Sequence, residues 1–143
     1  MSVRRIMGTE TEYAVSALGM EHYNPVKLSF DVVGAAVNEQ TKHIRWDYRQ
    51  EDPVNDARGT RLERASAHPD LLQLNITNVI AVNGGRVYVD HAHPEYSAPE
   101  TDDPFDAVLY DHAGDLIMRE CARKASEQNG IAIALHRNNV DGK

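Results

Sequence analysis

The feature that most constrains the fold is "NITNVIAVNGGRVYVD", in which two β-branched runs flank an Asn-Gly-Gly turn. Asn-Gly between alternating apolar residues is the strongest short-range hairpin signal, and a hairpin commits the chain to antiparallel pairing. Period two along the second arm puts Arg86, Tyr88 and Asp90 on one face and Val87, Val89 and His91 on the other. A parallel, alternating β/α barrel is thereby disfavoured.

The flanking segments extend this reading. Residues 3–16, "VRRIMGTETEYAVS", alternate as one strand, with Glu10 and Glu12 on one face and Thr9, Thr11 and Tyr13 on the other. After a turn through "MEHYNP", the segment "SFDVVGAAVNEQ" has helical spacing of Phe30, Val33 and Val37, with Ser29 as its expected cap. From Lys42 to about Leu71 the chain is charged and aperiodic but holds Trp46 and Tyr48, which predicts a long inserted loop. A second helix runs through "TDDPFDAVLYDHAGDLIMRECARKASEQNG". Asp103 caps it, Pro104 fits its first turn and Gly130 ends it. Its expected buried stripe is Phe105, Val108, Leu109, Leu116, Ile117 and Cys121. "IAIALHRNNVDGK" is a strand running into polar residues. The order is α+β, an antiparallel sheet with helices on one face.

Composition narrows the function. With 143 residues, 41% apolar and 26% charged, the chain can bury a core and form one domain. A net charge of −7 argues against sequence-independent nucleic-acid binding, which needs basic patches. No apolar run approaches the ~20 residues of a membrane span, and "MSVRRIMGTETEY" lacks the pattern of a signal peptide. A single cysteine, Cys121, allows no internal disulfide and fits a reducing cytoplasm.

The chemistry gathers on the acidic strands. If Glu10, Glu12, Asp90 and Arg86 share a sheet face, three carboxylates converge, and these repel unless a cation lies between them. Hard oxygen ligands favour magnesium or calcium, magnesium usually brings phosphate, and an arginine fork grips phosphate. The residue types therefore suggest a Mg-nucleotide site; on its own, E-x-E also reads as a solvated strand face. A rival is zinc held by His91 and His93, because D-H-x-H resembles the H-x-H of amidohydrolases. Those enzymes use a barrel of roughly 250 residues that the hairpin contradicts, and His93 before Pro94 also reads as an extended residue held by the proline.

"RRIMGTETEY", "WDYRQEDPVNDARG", "NGGRVYVDHAHPEYSAPE" and "NNVDGK" occur together in one order. In this combination the chain resembles the N-terminal part of the Pup deamidase/depupylase family. A sister family comprises Pup ligases, and both resemble carboxylate-amine ligases such as glutamine synthetase. The resemblance implies a glutamine-synthetase-like fold, with residues 1–143 forming the N-terminal part of one catalytic domain in a longer protein. It also implies a cytoplasmic, ATP- and Mg2+-dependent amidase with Pup and pupylated proteins as partners. Such an enzyme hydrolyses the C-terminal glutamine of Pup and the isopeptide bond to a substrate lysine, using ATP as a cofactor more than a fuel. By motif, Asp90 matches the catalytic aspartate, as nucleophile or general base. Glu10, Glu95 and Tyr88 match magnesium ligands, and Arg86 matches an ATP contact. Glu12 joins the metal set from the E-x-E geometry. Ala98 stands where the ligase branch has an ATP-touching threonine, and Ala14 where glycine is usual. The "WDY…DARG" insertion marks the deamidase branch over the ligase alternative. A third possibility is a fragment that binds without reacting.

Overall fold

A computed structural model describes residues 5–44, 78–90 and 93–138. The loop expected from Lys42 to Leu71, with Trp46 and Tyr48, falls almost wholly outside them, as does His91. The hairpin forms as expected from β3 (Asn78–Ile80) and β4 (Arg86–Asp90), with Asn78 across from Tyr88 and Ile80 across from Arg86. Its turn is fixed locally. The Asn83 side-chain oxygen accepts from the Gly85 amide at 3.1 Å, and Gly84 takes φ 86°, where a side chain would be strained.

The chain then doubles back as β5 (His93–Ser97), antiparallel to β4, and β5 also pairs with β1 (Glu10–Glu12). The result is a four-stranded sheet in the order β1-β5-β4-β3, antiparallel throughout. The single strand expected over residues 3–16 is instead divided at Tyr13. The Tyr13 amide donates to Pro94 on β5, while the next amide, of Ala14, donates to Asn138. Successive amides of an extended chain point opposite ways, so at this residue the chain passes from one sheet to another. Beyond it, β2 (Ala14–Ala17) pairs with β6 (Ile133–His136) in a separate two-stranded sheet.

Helix α1 (Pro25–Gly34) begins earlier than expected. Asn24, not Ser29, is the cap: its side chain accepts from the Lys27 amide at 3.1 Å, and Pro25 supplies the preset first turn. Ser29 lies buried within the helix, its hydroxyl donating to the Pro25 carbonyl at 2.8 Å. The buried face is Leu28, Ser29, Val32 and Val33, whereas Val37 lies past the helix end and is exposed.

Helix α2 (Pro104–Asn129) has the expected ends. Asp103 accepts from the Phe105 amide at 2.8 Å, and Gly130 takes a left-handed φ of 65°. Its buried face differs from the expected one: Gly114, Met118, Cys121, Ala122 and Ala125. Of the expected stripe, Cys121 is buried and Ile117 partly so, but Phe105, Val108, Leu109 and Leu116 are 58–86% exposed. Close approach explains the difference. A Cβ on Gly114 would stand 2.2 Å from the Tyr96 ring, so the helix meets β5 through small residues. Burial pushes the Cys121 thiol up to about 11, which makes it an inert core residue. Val79, Val87 and Tyr96 of the sheet share one core with buried side chains of both helices. The opposite sheet face carries the even-numbered residues of β1, β4 and β3.

Candidate functional site

The pairing registers lay that opposite face out in rows. One row crosses the sheet through Glu10, Ser97, Arg86 and Ile80. The next runs through Glu12, Glu95, Tyr88 and Asn78, and a third begins with His93 across from Asp90. All six site residues expected from sequence (Glu10, Glu12, Arg86, Tyr88, Asp90 and Glu95) therefore lie on one face. Directly opposed side chains in an antiparallel pair have Cβ atoms about 4.5–5.5 Å apart, close enough to interact.

Glu95 is the centre of the arrangement. It is 7% exposed, and Tyr88 beside it 9%. Burial raises the Glu95 carboxyl above its usual range; a hydrogen bond with Tyr88 opposes this, and the charges of Glu10, Asp90 and Glu12 add to the rise. Burial likewise raises the Tyr88 phenol, against a hydrogen bond from Ser97, and the charges of Glu95 and Glu10 raise it further. Tyr88 is thus held as a neutral phenol. It donates to Glu10 Oε1 at 3.3 Å, an oxygen that the Ser97 hydroxyl also reaches at 2.9 Å.

Arg86 lies over the Tyr88 ring, its guanidinium carbon 4.0 Å from the centroid, and its Nε donates to the Asn78 side chain at 2.5 Å. Stacking and this bond hold the guanidinium along the sheet face. His93 Nδ1 lies 2.7 Å from Glu12 Oε1, so this histidine meets a carboxylate. Ser97, Asn78 and His93 as partners were not found by sequence reasoning. Period two along "HPEYS" places residues 93, 95 and 97 on one face and could have signalled the first and third.

A second layer fixes β1 from behind. Arg137 reaches both carboxylate oxygens of Asp111 at 2.8 Å and Asp115 at 3.1 Å. Thr11 donates to Asp111 and Tyr13 to Asp115, at 2.8 and 2.7 Å. These bonds tie the core-facing residues next to Glu10 and Glu12 to α2. Burial would raise the Asp111 carboxyl, but hydrogen bonds from Arg137 and Thr11 prevail and hold it below its usual range.

The donor set suits a hard cation, being oxygen-only, and Glu95 stands buried among three further acids whose repulsion a cation would relieve. Among the described residues, no three His, Cys, Asp or Glu groups converge into a cage as they stand. Magnesium does not require such a cage; it is commonly bound by one or two carboxylates with waters and substrate phosphates.

Comparison with known proteins decides the family. The Pup-ligase protein family matches residues 5–143. The chain belongs to this family. The Pup deamidase/depupylase of Mycolicibacterium smegmatis is 45% identical across 99% of this chain and 30% of its own length. The depupylase of Acidothermus cellulolyticus is also 45% identical, over 99% and 29%. A Pup–protein ligase of Bifidobacterium adolescentis is 31% identical, over 98% and 23%. Among solved structures, the complex of the prokaryotic ubiquitin-like protein Pup with its ligase PafA shares the fold, with a TM-score of 0.63 at 23% identity, over 97% of this chain and 23% of that one. The chain thus spans under a third of the length of these relatives. Among the described residues, no helix is long and apolar enough to cross a membrane.

Proposed function

We propose that this chain carries the catalytic sheet of an ATP- and Mg2+-dependent amidase. This enzyme deamidates the C-terminal glutamine of Pup and cleaves the Pup–lysine isopeptide bond, in the cytoplasmic pathway that delivers tagged proteins to the proteasome. The observation that carries the choice over ligation is the gap in identity: 44–45% to deamidases and depupylases against 30–31% to ligases, over the same span.

Within this reading Glu10, Glu95, Tyr88 and Glu12 would hold magnesium, and Arg86 would grip the nucleotide phosphates. Magnesium would supply the positive charge that lets the acidic face and the nucleotide phosphates share one site. Tyr88, kept neutral, contributes by fixing Glu10 and by carrying Arg86 on its ring. Asp90, across from His93 at the end of the row, faces the scissile side-chain carbonyl of the substrate. It either adds to that carbon or takes a proton from the water that does. In both routes the C–N bond breaks, the carbon gains a water oxygen, and a proton passes to the departing ammonia or lysine amine. One site serves both substrates because the same carbonyl carbon is attacked.

Mass spectrometry of glutamine-ended Pup incubated with the full-length protein, magnesium and ATP tests the reading. The terminal amide should become the acid; attachment of Pup to a lysine would instead make the protein a ligase.

A further inference from the structure

His93 is neither a solvent-facing residue nor one that merely precedes a proline. Its side chain is 14% exposed, and its Nδ1 lies 2.7 Å from an oxygen of Glu12, itself 32% exposed. Its backbone is fixed: Pro94 is fully buried, and the Pro94 carbonyl accepts from the Tyr13 amide at 3.0 Å. The imidazole is therefore a preplaced donor.

Glu12 needs such a donor. It stands directly across from Glu95, and like charges at directly opposed positions destabilise a strand pair. Unrestrained, the Glu12 side chain would relieve this repulsion by swinging into solvent. The other member of the E-x-E pair has its own restraint, in Ser97 and Tyr88 on Glu10. His93 and Ser97 both reach across from β5, so each carboxylate of β1 is held on the face by the neighbouring strand.

We propose that His93 is a positioning residue: its Nδ1–H holds one oxygen of Glu12 on the acidic face, leaving the other to a divalent cation. This rests on the magnesium reading of the face. Donors that orient a ligating carboxylate commonly matter about 10–100-fold in metal affinity.

The test uses the full-length protein with a fixed nucleotide concentration and manganese as the probe ion, followed by its paramagnetic resonance signal. Three variants separate the roles. His93→Asn keeps an amide donor close to the position of Nδ1; His93→Gln moves the donor outward toward Nε2; His93→Leu removes it. Manganese affinity should fall about 10–100-fold in His93→Leu and His93→Gln and recover substantially in His93→Asn. Adding Glu12→Gln to His93→Gln should cost little more, since both changes disable one ligand. Wild-type affinity in His93→Gln would overturn the role of His93 alone, as would equal losses in His93→Asn and His93→Gln. Should His93→Leu fail to fold, the Asn and Gln pair still decides. A wild-type protein that binds no manganese, or that prefers zinc and loses it in His93→Asn, would overturn the magnesium reading as well.

Discussion

Glu12 on β1 and Glu95 on β5 are direct cross-strand partners, two carboxylates opposed on the same sheet face. Ordinary sheet stability would exclude such a pair, since opposed like charges are destabilising. Here Glu95 is also 7% exposed, so the sheet retains an unfavourable buried acid.

Glu95 therefore makes the protein less stable as pH rises. Its folded-state pKa is raised, so between the unfolded and folded values the folded state binds more protons than the unfolded one and stability falls with pH. Above the folded value the penalty is fully present; below the unfolded value it is absent. Glu95→Gln, melted without magnesium or nucleotide, should gain about 2–4 °C in Tm for each kcal/mol relieved at neutral pH. It should gain nothing at acid pH below that window, and magnesium with ATP should narrow the gain.

Arg137 provides the opposite sign. Asp111 has a depressed folded-state pKa, so its contribution is present above the unfolded value and is lost as pH falls through the folded one. Arg137→Met should destabilise at pH 7 by about 1 kcal/mol or less, since the guanidinium is 46% exposed and screened. The difference from wild type should close when denaturant melts are repeated below the Asp111 titration.

Gly114 is where α2 touches the ring of Tyr96. Gly114→Ala should destabilise by about 1–3 kcal/mol, because the new methyl overlaps a fully buried ring. Gly114→Ala combined with Tyr96→Leu should be less unstable than the sum of the two single changes, measured by chemical denaturation.

This contact also explains what was legible from sequence. Local rules carried the hairpin at Asn83-Gly84, the Asp103 and Gly130 helix ends, and the sharing of one face by Arg86, Tyr88 and Asp90. Each depends on neighbours in the chain or on period two. The buried face of α2 was not legible, because hydrophobicity favours Phe105, Val108, Leu109 and Leu116 whereas the Tyr96 ring leaves room only for glycine at position 114. The division of the first strand at Tyr13 depends on Pro94 and Asn138, about 80 and 125 residues away. The acidic face was legible in its membership, but not in its bonds. That His93 meets Glu12 and Ser97 meets Glu10 follows from the β1–β5 register, which is a property of the folded sheet. Ser29 has the residue type of a cap, but Asn24-Pro25 supplies a stronger start one turn earlier.

Amide hydrolysis on the face built on Asp90 is the expected activity of the full-length protein. The most direct measurement compares the full-length protein with its Asp90→Asn variant on glutamine-ended Pup, by mass spectrometry, alongside nucleotide binding. Wild type should convert the terminal amide to the acid, and Asp90→Asn should lose that conversion while binding ATP as before. Retained hydrolysis in Asp90→Asn would contradict the account, and loss of nucleotide binding or of folding in the variant would make Asp90 structural instead.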